Sequence, residues 1–321
     1  MTAPRISRSR AWNRLRNAFL GAGIISMLAI EPLAGCASGP NASIMRRDAL
    51  ISLISGRERE KDAEAAIDAM QRYGDRESAA VAGRIPEYHA RARALVRSLG
   101  LRDDASALIN FSYGIAVLGE SGARDLHASL GIEYFMRYDR RTLLEMRETL
   151  RSSGEEPLLV AAFNKNDHNG AFYREGHALS VLLPGYRVLV FETDGEGGFY
   201  SKIPEIAKTH GRISALVIGG HGESGSIQLG NNDEPGRLDL GDAEELAALR
   251  ASFADRPVVV LASCSTGASD KAIGAVISRA LSARLFAPIE PSSRTEYHLD
   301  RHGRISSVTY NVDARSFLAG V

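Results

Sequence analysis

A chain of 321 residues, 44% hydrophobic and 24% charged, has enough apolar side chains for one large or two modest cores, so it is read as globular. Its 39 Lys and Arg balance 39 Asp and Glu, and no net field draws it to nucleic acid, which is not expected as a partner.

The chain opens with Arg5, Arg8, Arg10, Arg14 and Arg16, followed by the apolar stretch Ala18 to Ile30. This pattern reads as an export signal, with a run shorter than the roughly 20 residues of a membrane span. Glu31 and Pro32 interrupt it further. The stretch ends in Leu33-Ala34-Gly35-Cys36, which resembles the lipobox of bacterial lipoproteins. The resemblance implies that residues 1–36 form a signal peptide, that Cys36 carries lipid, and that the mature protein is held to a membrane by that anchor. Ala37 in place of Asp resembles lipoproteins sent to the outer membrane, which implies a location in the cell envelope facing the periplasm. A plain signal peptide or a membrane helix is the other reading of the same stretch. With Cys36 lipidated, the second cysteine, Cys264, has no disulfide partner. A lone thiol in an oxidising compartment is either a reactive group or an inert filler of the core.

From residue 37 to 153 the chain reads as a helical domain. Ala63, Ala66, Ile67, Met70 and Tyr73 recur at helical spacing before Gly74, and Pro86 opens a second helix that runs to Leu99. Further helices are expected over Ala105 to Leu118, Leu126 to Met136 and Thr142 to Leu150. Tyr134, Phe135 and Met136 read as core, and Arg137, Arg140 and Arg141 as a solvated face.

Residues 154–321 change to short apolar runs alternating with helices, the pattern of an α/β domain with a mostly parallel sheet. Strands are expected at Leu158–Phe163, Arg187–Phe191, Ala215–Ile218, Val258–Ala262 and Ala283–Ala287, with a terminal antiparallel pair around Arg294–Leu299 and Arg304–Asn311. Helices are expected at Glu175–Leu183, Phe199–His210, Asp242–Ser252 and Asp270–Leu281. The last would set a helix amino terminus near Cys264, an arrangement that favours a thiolate.

Two of these strands deliver reactive side chains. Ile218-Gly219-Gly220-His221-Gly222 closes one and Leu261-Ala262-Ser263-Cys264 closes another, so parallel neighbours would bring an imidazole and a thiol into one crevice. A thiolate attacks a carbonyl, and an imidazole can protonate the leaving amine. The backbone N–H groups of Gly222 and Cys264 could form an oxyanion hole. An apolar block ending in His-Gly and a later one ending in Cys resemble the caspase-like cysteine peptidases over roughly residues 156–312. The resemblance implies a caspase-like sheet flanked by helices, His221 as general acid and base, Cys264 as nucleophile, Gly222 as an oxyanion donor, a polypeptide substrate and no cofactor. A caspase-like envelope protein that binds protein without cutting it is the alternative.

Two departures bear on specificity. Ala262 stands where metacaspases carry an Asp two residues before the cysteine, so a preference for Arg or Lys finds no support there. In the loop Asn164-Lys165-Asn166-Asp167-His168, Asp167 is the residue suited to a specificity pocket, although Asn and Asp also serve such loops as turn formers. Asp167, His168, His177 and His221 lack the spacing of a metal motif, and no metal is expected. Gly222-Glu-Ser-Gly-Ser226 is out of register for a serine nucleophile elbow, and Gly219 to Gly222 lacks the lysine of a phosphate loop.

Overall fold

The computed structural model describes residues 60–165, 167, 170–230 and 234–318. The expected export signal, Cys36, Asn166 and His168 lie outside the described residues. Helices α1 (Glu60–Tyr73), α2 (Arg76–Ala82), α3 (Ile85–Ser98), α4 (Ala105–Leu130) and α5 (Arg140–Arg151) come first. The sheet then begins with β1 (Leu158–Asn164), followed by α6 (Ala171–Ala178), β2 (Arg187–Thr193), α7 (Glu196–His210) and β3 (Ile213–Gly219). After β3, three short strands, β4 (His221–Glu223), β5 (Ser226–Gln228) and β6 (Arg237–Asp239), form a small antiparallel sheet of their own. The chain continues through α8 (Ala243–Ala248), β7 (Phe253–Ala262), α9 (Ile273–Leu281), β8 (Arg284–Pro288), the antiparallel pair β9 (Thr295–Leu299) and β10 (Ile305–Tyr310), and β11 (Ala314–Leu318).

The main sheet has the order β11-β8-β7-β3-β1-β2 and is parallel except where β11 pairs with β8. The fold is therefore α/β, with a mostly parallel six-stranded sheet flanked by helices. Every residue of β1 and of β2 is buried, as expected for strands covered on both faces. The change of pattern near residue 153 is a change from helices to sheet within one compact unit. α5 lies on β2, and apolar side chains from helices and strands form one continuous core. Among the described residues no helix is long and apolar enough to cross a membrane.

Three local expectations are corrected. Ala105 to Leu118 is a helical segment that stops at Gly119 as expected, but the next segment of α4 starts before Leu126 and ends at Leu130, short of Met136. Asp104 caps the first segment through the Ala107 N–H at 2.9 Å, Gly119, φ 77°, breaks the helical backbone between the two, and Gly131, φ 68°, ends the second. Arg137 is no part of a solvated face, since it is 0% exposed. The helix expected from Asp270 begins at Ile273, whose N–H is taken by Ser224 O at 2.9 Å. That helix end is already satisfied rather than presented to the thiol.

Arg137 explains how the helices and the sheet lock together. Its guanidinium donates to Asn164 O at 2.9 Å and Lys165 O at 3.2 Å, where β1 ends. It pairs with Glu192 at 3.5 Å and Asp167 at 3.8 Å, and lies 4.0 Å over the Tyr134 ring. Glu192 in turn accepts the Glu133 N–H at 2.7 Å and the Tyr138 hydroxyl at 2.9 Å. One buried cation thus fixes the end of β1, β2 and the segment after α4.

Candidate functional site

The register of the sheet sets the site. Gly219 of β3 lies level with Ala262 of β7, so the next residues of each strand, Gly220-His221 and Ser263-Cys264, leave the sheet side by side. Ser263 stitches them, accepting the Gly220 N–H at 3.3 Å and donating to Ile218 O at 3.4 Å. Beyond it, Gly222 sits directly on the cysteine backbone. A Cβ at Gly222 would fall 2.6 Å from Cys264 O, 2.9 Å from Ser263 Cβ and 3.0 Å from Cys264 N. No side chain fits there without moving the cysteine. Gly222→Ala is expected to cost about 1–3 kcal/mol of stability, read by thermal unfolding, and to lower the labelling rate of the thiol.

Among the described residues Cys264 has no disulfide partner, and it is half-buried. Its Sγ lies 3.6 Å from Ser292 O. The next residue, Ser265, has φ 56°, in the left-handed region that non-glycine residues avoid, and its N–H donates to Glu290 O at 3.2 Å. Such strain, about 1–3 kcal/mol, gathers where a chain must be held in one shape for function. The His221 ring is also half-buried and packs on Phe172 of α6, with ring centroids 5.3 Å apart.

His221 and Cys264 line one cleft of about 550 Å³ at the carboxyl edge of the sheet. Its walls come from α1 through Asp68, Arg72 and Tyr73, from α6 through Phe172, Arg174 and Glu175, and from the segment Ser292 to Thr295. Ala262, expected at a specificity pocket, also lines it. Asp167 is not among the lining residues. Its carboxylate is 0% exposed, caps α6 through the Ala171 and Phe172 N–H groups at 3.0 and 2.9 Å, and pairs with Arg137. Asp167 therefore acts as the turn former. His177 is held at 2.6 Å by Asp139 in the interior. Among the described residues no group of His, Cys, Asp and Glu is placed to hold a metal ion.

The sequence reading missed Glu175, which belongs to this cleft. One signal for it existed. On α6 Glu175 falls on the same stripe as Phe172, Gly176 and Leu179, an acid placed where the helix faces inward. Burial pushes its carboxyl up to about 7, against the opposing effects of hydrogen bonds from Thr295 and the charge of Arg174. A carboxyl raised on folding contributes full stability below its unfolded value of 4.5, and that stability is lost as pH rises through about 7. The loss is roughly 3 kcal/mol. Glu175→Gln is therefore expected to raise Tm at pH 8 and leave it nearly unchanged at pH 4, as measured by thermal unfolding at the two pH values.

The family described as "Domain of unknown function (DUF8616)" matches residues 187–305, a span that contains both His221 and Cys264. No curated protein and no solved structure matches the chain.

Proposed function

We propose that the chain is a caspase-like cysteine endopeptidase of the bacterial envelope, anchored by lipid at Cys36 and acting on polypeptides. The observation that carries this reading is the convergence of His221 and Cys264 on one cleft, with the Gly222 backbone seated on the cysteine backbone. The sheet order supports it, because β3 and β7 are parallel neighbours whose carboxyl ends open on the same edge. The strained backbone after the thiol supports it as well.

In this reading His221 accepts the Cys264 proton, and the thiolate attacks the substrate carbonyl carbon. The oxyanion develops toward the N–H groups of Gly222 and Cys264, donors of a kind typically worth about 3–4 kcal/mol each when lost. The imidazolium gives its proton to the leaving amine as the C–N bond breaks, leaving a thioester. Water, deprotonated by His221, hydrolyses the thioester and returns the thiol. No step calls for a cofactor.

Labelling with iodoacetamide at pH 7 tests the assignment on the full chain. Wild type is expected to react at Cys264 faster than free cysteine, His221→Ala to react more slowly, and Cys264→Ala to lose the label. A thiol no faster than free cysteine and indifferent to His221 would leave the non-cutting, protein-binding reading in its place.

A further inference from the structure

The chain from the end of β8 to the start of β9 lies against the thiol and is fastened along its length. The Ser265 N–H donates to Glu290 O at 3.2 Å and the Gly267 N–H to Pro288 O at 2.8 Å, so this chain runs beside the strained turn that follows Cys264. One contact departs from that backbone pattern. The Cys264 thiol donates to Ser292 O across 3.6 Å. A sulphur that faces a carbonyl oxygen answers it only while it carries its hydrogen.

Asn311, the residue after β10, sets that carbonyl. Its side-chain oxygen accepts the Ser292 hydroxyl at 2.9 Å and the Ser293 N–H at 3.0 Å, while the Ser292 hydroxyl oxygen accepts the Arg294 N–H at 3.3 Å. α6 holds the other side. Arg174 donates to Ser293 O at 3.2 Å, and Glu175 Oε1 accepts the Thr295 N–H at 3.3 Å, its Oε2 having no hydrogen-bond partner among the described residues.

The neighbour of Asn311 acts on the strand of the thiol itself. The Tyr310 hydroxyl bridges Leu261 O at 3.1 Å and Phe286 O at 3.0 Å, just past Val260 and Phe286, the last paired residues of β7 and β8. Two adjacent residues thus fix the strand that carries the sulphur and the carbonyl that meets it.

We propose that Ser292 to Thr295 form a latch on Cys264, in which the Ser292 carbonyl, positioned by Asn311, engages the thiol hydrogen and restrains the reactivity of the sulphur until the segment shifts. The thiolate is the nucleophile, so a hydrogen held by Ser292 O has to leave that bond before the sulphur can attack. The latch needs the thiol and its carbonyl partner, not the peptidase role. Where the reaction proposed above operates, an occupant of the cleft that moves Ser292 also frees the hydrogen for His221, a consequence that rests on that reading.

The test labels Cys264 of the full chain with iodoacetamide at pH 7. Asn311→Ala, which removes both bonds to the segment, is expected to label about threefold to tenfold faster than wild type. Ser292→Ala loses the hydroxyl, keeps the Ser293 N–H bond, and should fall between the two. Asn311→Asp retains an acceptor for both donors and should not exceed the wild-type rate. Infrared difference spectra against Cys264→Ala read the bond itself. The S–H stretch is expected at lower frequency in wild type and Asn311→Asp than in Asn311→Ala, a shift that general loosening of the fold would not produce.

Equal labelling rates in wild type and Asn311→Ala, an Asn311→Asp as fast as Asn311→Ala, or an S–H band at one frequency throughout would overturn the latch. His221→Ala reports separately on the peptidase reading. If Asn311→Ala gains rate and shifts the band while His221→Ala labels like wild type, the latch stands and the peptidase reading falls. If His221→Ala slows labelling and Asn311→Ala changes nothing, the latch falls and the peptidase reading stands.

Discussion

Cys264→Ala is expected to lower kcat/KM for peptide hydrolysis by about 10⁴-fold or more, with His221→Ala costing nearly as much. The double variant should be no worse than the worse single one. A nucleophile and its proton carrier act as a unit, so once either is gone the other has nothing left to contribute. Neither change should move Tm by much, since both side chains are only half-buried on a cleft wall and neither fills the core. The measurement is steady-state hydrolysis of the best peptide from a library, with thermal unfolding of each variant alongside. Losses that multiply in the double variant would show two independent roles and undo the dyad. Residual turnover after removal of both would be left to whatever Gly222 and the Cys264 backbone supply as donors.

Arg137→Met is expected to destabilise the protein by about 3–5 kcal/mol, because it leaves Glu192 and Asp167 buried without their cation. Tm should fall by roughly 10 °C for a unit of this size. Glu192 already has its carboxyl raised by burial, with Arg137 as the main opposing influence. Without the guanidinium that carboxyl is pushed further toward its neutral form. The effect should reach the cleft. Arg137 holds the Asn164 and Lys165 carbonyls at the end of β1 and the Asp167 cap of α6, and α6 carries Phe172 against His221 and Glu175 into the cavity. Arg137→Lys is expected to recover little, because an ammonium cannot reproduce a planar fork serving two carbonyls and two carboxylates. Unfolding curves check the stability, and the iodoacetamide rate of the folded fraction checks the cleft. An unchanged Tm would remove Arg137 from its place as the joint between helices and sheet.

Much of the architecture was readable because burial on both faces leaves a mark on composition. Leu158 to Phe163 and Val258 to Ala262 are short unbroken apolar runs, and such runs between helices become covered parallel strands. The same mark is weak in β4 to β6, three residues each, and in β11, where buried and exposed positions give no sustained pattern. Those elements went unread. The stop after Leu118 was legible and Gly119 does break the helix there, but the second segment already carries Gly122 and Ala123 on its buried side before Leu126 and ends at Leu130.

The pairing of His221 with Cys264 was local information twice over. Each residue closes an apolar run, and parallel neighbours of equal register must end together. Arg137, Asp167 and Glu175 are different in kind. A lone charge in a sequence carries no sign of what surrounds it, and charged residues are mostly exposed, so Arg137 read as surface, while Asp167 read as either a turn former or a pocket acid. Whether a charge is solvated, capped, paired or left with one bare oxygen depends on neighbours tens of residues away, such as Glu192 for Arg137 and Thr295 for Glu175. Periodicity along the chain fixes which elements form and which ends carry chemistry. Desolvation and long-range pairing, which exist only once the chain is folded, fix what each charged group in and around the cleft is able to do.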